Sequence, residues 1–259
     1  MTVYVCEDSF EGILSGIYDA VQGQEAQEDI RLELEGIRNM ELFCVYKPAA
    51  VSEEKVKRVL EEVRRKLSEV IYEKLYLASL SQEEGKADGI YRFLMDAFHY
   101  GNTVLQMHHR SSVQYLLRLC QFVEHESHQL TGFVRFAQTG EGVLFSRIGP
   151  KSDVLPLLAV HFADRLPSEN WMIYDEHRGR AAVHPAGRAW FILREESILQ
   201  EENGGWSEQI KQKTDGEEYA SLWKTFHQAI AIAERENPVC QRTLLPMRYR
   251  AYMTEFLGQ

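Results

Sequence analysis

The sequence predicts an α+β protein, with an antiparallel sheet over about residues 131–193, one helix on a face of that sheet, and helical segments before and after it. Apolar residues recur at helical spacing through most of the chain up to residue 128. After Gly132 the pattern changes to short apolar runs separated by glycine-containing turns. Helical periodicity returns over residues 217–236. We therefore expect a mainly helical part (1–128), a sheet part (129–193) and a C-terminal helical part (194–259), joined in one globular unit.

The first part begins with a predicted strand at residues 3–6, followed by a helix that Asp8 or Ser9 caps. A second strand is predicted at residues 42–46. The most regular helix opens after Ser52 and places its apolar residues on one stripe, which consists of Val56, Val59, Leu60, Val63 and Leu67. Further helices are predicted from Ser68 onward, around residues 90–99 and over residues 112–128.

In the sheet part, strands are predicted at residues 133–136 and 143–148, paired across a turn at residues 139–142. A helix at residues 155–166 precedes three more strands, at residues 171–175, 181–184 and 189–193. Because the turns are short and contain glycine, we expect antiparallel pairing without a parallel crossover pair.

The composition limits the classes of function. The formal net charge of −10 excludes general binding along nucleic acid, because phosphate attraction increases with the number of basic groups presented. No apolar run approaches the ~20 residues of a membrane span, and the N-terminus lacks the pattern of a secretory signal; we expect a cytoplasmic protein. The four cysteines are far apart, so we predict no metal site and no other cofactor. The sequence also lacks a glycine-rich phosphate loop and a Gly-x-Ser-x-Gly motif.

Glu126 and His128 belong to the densest cluster of titratable residues, at the end of the predicted 112–128 helix. Two residues apart, they converge only if the helix ends there. They are then an acid–base pair; otherwise they form a polar helix end at which His128 interacts with the last carbonyl groups.

A second group of polar residues belongs to the sheet part. His161 and Arg165 are four residues apart on a predicted helix and so share a face, while Asp175 ends a predicted strand. With His177 and Arg178, which follow Asp175, these residues suit phosphate binding or acid–base chemistry. An ion pair that ties the helix to a strand is the alternative.

The C-terminal block is the most basic part of this acidic chain. Arg242, Arg248 and Arg250 occur there beside Tyr249, and no acidic residue lies between Asn237 and Met253. The planar guanidinium group donates several hydrogen bonds at once to phosphate or carboxylate, and tyrosine rings offer stacking surfaces. A basic helix packed on the core is the alternative interpretation.

Several short motifs occur in order along nearly the whole chain: Asp8-Ser9-Phe10-Glu11-Gly12, Glu126-x-His128, Gly132-Phe133-Val134-Arg135-Phe136, Pro150 before His161-Phe162-x-x-Arg165, Trp171-x-Ile173-x-Asp175, and Asn237-Pro238-x-x-Gln241-Arg242 before Met247-Arg248-Tyr249. As an ordered set they resemble a bacterial family known mainly as "probable DNA metabolism protein" or as a DNA repair family. The family carries a domain of otherwise unknown function.

The resemblance implies a partner and a ligand. Members of that family are encoded beside a radical-SAM protein, and related domains are fused to uracil-DNA glycosylase-like modules. This chain lacks the radical-SAM cysteine triplet, so that chemistry would belong to the partner. We therefore expect an accessory subunit that binds DNA, single-stranded or damaged, through Arg135, His161, Arg165, Asp175, Arg242, Arg248 and Tyr249.

Two alternatives remain open from the sequence. One is an enzyme acting on a nucleotide or on DNA, with Glu126 and His128 as the acid–base pair and the arginines holding phosphate. The other is a structural adaptor whose arginines bind carboxylates of a protein partner.

Overall fold

The computed structural model describes residues 1–23, 25–36, 41–139, 142–194 and 244–256. The chain divides into two compact units, residues 1–125 and 126–259. The predicted C-terminal helical part lies mostly outside the described residues, so the three-part division stays a prediction. The α+β class is confirmed, because helices flank a three-stranded and a five-stranded sheet.

The first unit is built on a parallel sheet of three strands in the order β2-β1-β3. These strands are β1 (Thr2–Cys6), β2 (Ile30–Leu34) and β3 (Val45–Ala49). Helix α1 (Phe10–Gln22) connects β1 to β2, and the Ser9 hydroxyl caps it by accepting from the Gly12 N–H at 3.0 Å. Parallel neighbours need such a crossover connection.

The structure corrects the sequence prediction for this sheet at two strands. Strand β2 was not predicted, although Ile30, Leu32 and Leu34 alternate with polar residues and are buried on one face. Strand β3 begins three residues later than predicted and contains Pro48. Proline is tolerated there because β3 is an edge strand.

Four further helices complete the core of the first unit. They are α2 (Glu53–Lys66), α3 (Glu69–Ser79), α4 (Lys86–Tyr100) and α5 (Ser111–Phe133), of which α5 continues into the second unit. Their apolar faces and those of α1 and the sheet form one buried cluster. None of the helices in the described parts of the chain is long and apolar enough to cross a membrane.

Helix α2 supplies a test of the packing. Val63 is fully buried, whereas Leu60 of the same stripe is only partly buried against the core. We therefore expect Leu60→Ala to lower the free energy of unfolding by about 2 kcal/mol, the low end for leucine truncation. Urea denaturation followed by far-UV circular dichroism measures this, with Val70→Ala as the control because Val70 is 51% exposed. A loss below about 1 kcal/mol would show that the stripe does not pack against the core.

The second unit contains the five-stranded sheet in the order β4-β5-β6-β7-β8. Its strands are β4 (Ala137–Gln138), β5 (Leu144–Ile148), β6 (Trp171–Asp175), β7 (Arg180–His184) and β8 (Phe191–Arg194). Helix α6 (Leu155–Arg165) lies between β5 and β6 and packs on one face of the sheet, where its Phe162 ring is 6.5 Å from the Trp171 ring.

The prediction of purely antiparallel pairing is wrong at one place. Strands β5 and β6 are parallel neighbours, with Leu144 opposite Trp171 and Ile148 opposite Asp175. The connection between them contains α6 and is long enough to return the chain to the same end of the sheet. The other pairs, β4-β5, β6-β7 and β7-β8, are antiparallel as predicted.

The predicted strand at residues 133–136 is also wrong. Helix α5 continues through Gly132 to Phe133, and β4 is only two residues long. The half-buried rings of Phe133 and Phe136 contact the rings of Tyr249 and Phe162, respectively.

Candidate nucleic-acid interface

The loop between β5 and α6 is the centre of the polar contacts in the second unit. We call Pro150, Lys151 and Ser152 the 150–152 loop. Two buried carboxylates hold it: Glu126 of α5, which is 5% exposed, and Asp175 at the end of β6, which is fully buried. Both belong to the sequence-predicted set.

Glu126 acts as a hydrogen-bond acceptor for two different segments. Its carboxylate accepts from the backbone N–H groups of Lys151 at 2.9 Å and Ser152 at 2.7 Å, and from the Tyr249 hydroxyl at 2.8 Å. Burial by itself raises the pKa of the Glu126 carboxyl, but these hydrogen bonds outweigh it, so the pKa lies below its ordinary value of 4.5. Glu126 is therefore ionised at neutral pH and joins α5, the loop and the C-terminal block.

Asp175 holds the loop indirectly. It accepts from the His177 backbone N–H at 3.0 Å and from Nη1 of Arg178 at 3.2 Å. Arg178 also donates to the carbonyl oxygens of Pro150, at 3.2 Å, and Lys151. Burial raises the pKa of the Asp175 carboxyl, and the Arg178 guanidinium opposes that rise.

Helix α7 (Met247–Arg250) presents the described part of the basic block. Tyr249 is 1% exposed, and its ring centroid is 5.7 Å from that of Phe133. Arg248 lies over the Tyr249 ring at 4.4 Å and donates through Nη2 to the Tyr249 hydroxyl at 2.6 Å and to Glu126 at 3.4 Å. Burial raises the pKa of the Tyr249 hydroxyl, so it remains a donor.

The outer surface of the loop carries basic side chains. Lys151 and His177 are exposed, and the side chains of Arg178 and Arg248 are 25% and 39% exposed. The carboxylates that pair with these arginines are buried. We call these four residues the loop cluster.

Two further arginines lie side by side at the edge of the sheet. Arg180 of β7 and Arg194 of β8 are directly opposite each other in the antiparallel register. Arg180 pairs with Asp153, next to the loop, at 2.5 Å. Like charges at opposed positions destabilise a sheet, and the ion pair with Asp153 offsets this repulsion at Arg180.

The structure brings together some of the predicted residues. Glu126, Asp175, Arg248 and Tyr249 meet around the 150–152 loop. His161 and Arg165 lie elsewhere, exposed on α6, and Arg135 donates to the carbonyl oxygens of Gly132 and Val134. Arg242 lies outside the described residues.

Glu126 and His128 do not form the close pair that acid–base chemistry needs. Helix α5 continues beyond both residues, so side chains two positions apart point in different directions. Glu126 is buried and His128 is exposed, and no hydrogen bond between them is found in the described part of the chain.

Sequence reasoning did not select Lys151 and Ser152 as site residues, and it named Arg178 beside Asp175 without placing it among the DNA-binding residues. The contribution of Lys151 and Ser152 depends on backbone groups, and no side-chain pattern predicts which carboxylate a loop N–H will reach. The signal for Arg178 is its position, three residues after Asp175 in the turn that follows a strand.

Within the described residues, no group of three or more histidine, cysteine, aspartate or glutamate side chains is placed to hold a metal ion. The prediction that the chain needs no metal stays a prediction.

Comparison with known proteins identifies the family of the chain. No curated protein matches the chain. The model of a domain of unknown function, DUF4130, matches residues 84–255, which is more than half of the chain. The match contains both carboxylates, the 150–152 loop and Arg248 with Tyr249. The chain therefore belongs to the DUF4130 family.

Proposed function

We propose that the loop cluster binds phosphate groups of DNA, and that the protein is an accessory DNA-binding subunit in DNA repair or DNA metabolism. The observation that carries the proposal is the arrangement of the cluster: Lys151 on the loop, Arg178 and Arg248 lie together with His177, and the carboxylates that pair with the two arginines are buried. A radical-SAM protein as partner belongs to the same proposal and rests on the family resemblance alone, and a cytoplasmic location belongs to it as an expectation from the sequence.

The hydrogen-bonding capacity of the arginines supports this function. A guanidinium group has five N–H donors. Among the described residues, the hydrogen bonds of Arg248 both leave from Nη2, so its Nε and Nη1 groups can donate to a phosphate oxygen. Arginine bound in this way to an internal carboxylate is also held in place, which lowers the entropy lost when it binds.

The distribution of charge supports the same surface. Residues 126–259 hold 15 arginine and lysine residues against 18 aspartate and glutamate residues, a formal charge of −3, whereas residues 1–125 carry −7 of the total of −10. Binding to DNA then depends on a local cluster in the less acidic unit and does not require a basic protein.

A salt titration tests the proposal. We expect the affinity for a fluorescein-labelled oligonucleotide to fall with salt, and Lys151→Ala or Arg248→Ala to make the slope shallower by about 0.7 on single strands or about 0.9 on duplex. Fluorescence anisotropy measures both, with and without the radical-SAM partner. Arg242→Ala tests the same prediction for the residue outside the described parts.

Lys57→Ala is the matched control, because it removes one exposed positive charge from α2 in the first unit. If neither Lys151→Ala nor Arg248→Ala changes the salt slope, both with and without the partner protein, DNA contact by the loop cluster is refuted. If Arg248→Ala weakens only the binding of the partner protein, the adaptor alternative holds. The enzyme alternative gains no comparable support, because Glu126 already accepts from four donors.

A further inference from the structure

His177 is the one member of the loop cluster whose residue type gains and loses its charge near neutral pH. It lies in the turn between β6 and β7, where its ring is exposed and its Nδ1 atom is 2.9 Å from the Pro150 carbonyl oxygen. A carbonyl oxygen only accepts hydrogen bonds, so Nδ1 carries a proton and donates it. In the neutral ring the other nitrogen, Nε2, then holds a lone pair.

This hydrogen bond determines where a second proton is taken up. Because the Nδ1–H group is already present and bound to Pro150, the ring is protonated at Nε2. No hydrogen bond from Nε2 to another described residue is found, and the ring is exposed. Protonation therefore adds a positive charge and a free N–H donor to the loop cluster.

The loop is held in the same way in both protonation states of the ring. Arg178 donates through Nη1 to the same Pro150 carbonyl oxygen at 3.2 Å. The backbone N–H of His177 donates to the Asp175 carboxylate at 3.0 Å, and this bond does not involve the ring. Protonation thus changes the charge of the cluster and leaves its backbone in place.

Most charged residues of the turn, the loop and the neighbouring elements are already in ion pairs. These pairs are Arg178 with Asp175, Arg147 with Glu176, Arg180 with Asp153, and Arg248 with Glu126. Burial raises the pKa values of the Tyr249 and Tyr252 hydroxyls, so both are neutral at pH 8 and below. Lys151 has no ion pair among the described residues. The charge that protonated His177 meets is therefore mainly that of Lys151, and a phosphate group beside the two side chains favours the protonated ring.

We propose that DNA binding at the loop cluster is coupled to protonation of His177, so that the affinity for DNA is higher at about pH 6 than at about pH 8. The coupling rests on the proposed function, since it needs a phosphate group at the loop cluster. The protonated ring donates through Nε2 to a phosphate oxygen, so binding takes up a proton and the affinity falls as pH rises. By reciprocity, bound DNA holds the proton on the ring.

Fluorescence anisotropy of the full chain with a fluorescein-labelled single-stranded oligonucleotide tests the coupling. We expect the affinity of the wild type to be roughly three- to tenfold higher at about pH 6 than at about pH 8, and His177→Gln to lose this difference. The salt slope of the wild type should also be steeper by about 0.7 at the lower pH, because one more phosphate contact is made. The slope of His177→Gln should be the same at both pH values.

Two further variants assign the effect to the charge at this position. His161→Gln is the matched control, because His161 is an exposed histidine of the same unit that lies outside the loop cluster, and it should keep the full pH difference. His177→Lys carries its charge at both pH values, so it should bind at about pH 8 nearly as tightly as the wild type does at about pH 6. Arg178 still holds the Pro150 carbonyl in all these variants, and tryptophan fluorescence checks that they are folded.

The outcomes separate the coupling from the proposed function. A wild type whose affinity is the same at both pH values, or a His177→Gln chain that keeps the difference, overturns the coupling. If Lys151→Ala still makes the salt slope shallower in that case, the proposed function stands without it. If neither Lys151→Ala nor Arg248→Ala changes the salt slope, the proposed function fails, and the coupling fails with it.

Discussion

Replacing Glu126 with alanine is expected to lower the free energy of unfolding of the second unit by about 3–5 kcal/mol. The substitution leaves the N–H groups of Lys151 and Ser152 and the Tyr249 hydroxyl without their common acceptor, in a place that is 5% exposed. Each buried donor without a partner costs about 1–3 kcal/mol. Arg248 also loses its buried counter-charge.

Tryptophan fluorescence during urea denaturation measures this effect specifically. All four tryptophans lie within residues 126–259, so their emission reports on the second unit. His128→Ala is the control, because His128 lies on the same helix two residues later and is exposed. A loss for Glu126→Ala no larger than for His128→Ala would contradict the structural role of the Glu126 carboxylate.

The lowered pKa of the Glu126 carboxyl predicts that the stability of the protein depends on pH. Because its pKa is lower in the folded state than the ordinary value of 4.5, its contribution to stability is fully present above about pH 4.5 and is lost as pH falls through the lowered folded value. Glu126→Gln, which cannot titrate, should therefore show a smaller loss of stability than the wild type over this acidic range. Equal acid sensitivity of the two proteins would assign the effect to other groups.

Truncating Tyr249 to alanine is expected to cost about 3–5 kcal/mol, as for other large buried aromatic residues. The ring is 1% exposed and packs against Phe133, and its hydroxyl donates to Glu126. Tyr249→Phe keeps the ring and removes the hydroxyl, so it should cost only about 1–2 kcal/mol.

A double-mutant cycle apportions the Tyr249 effect. The double variant Tyr249→Phe/Glu126→Ala should lose less free energy of unfolding than the sum of the two single variants. Each substitution removes the same hydrogen bond, the one from the Tyr249 hydroxyl to the Glu126 carboxylate. Leu244→Ala is a suitable control for the C-terminal block, since Leu244 is 66% exposed. Strict additivity in the cycle would mean that the hydroxyl and the carboxylate do not interact in solution.

The hydrogen bond from Arg248 to the Tyr249 hydroxyl offers a way to separate effects on DNA binding from effects on folding. If the loop cluster binds DNA, Tyr249→Phe should leave the chain folded and weaken the anchoring of Arg248, which also contacts the Tyr249 hydroxyl. Oligonucleotide affinity should then fall less than for Arg248→Ala, because the guanidinium charge remains.

Local physical chemistry let the sequence by itself determine the fold class and most of the described helices. Ser9 caps α1, and the apolar spacing of Val59 and Val63 defines the buried face of α2. Both are interactions between residues close in the chain, and so they are visible as spacing. Strand β2 had such a pattern too, in Ile30, Leu32 and Leu34, and could have been predicted.

Tertiary structure alone decided which strands pair in parallel and which polar residues meet. The direction of β6 beside β5 depends on how α6 packs across the sheet, and Phe133, the last residue of α5, contacts the ring of Tyr249, which lies far away in the sequence. Glu126 reaches the loop N–H groups of Lys151 and Ser152 across a sequence separation of more than twenty residues. Backbone donors carry no residue-specific signature, so the sequence identified Glu126, Asp175 and Arg248 singly, and only the folded chain placed them around one loop.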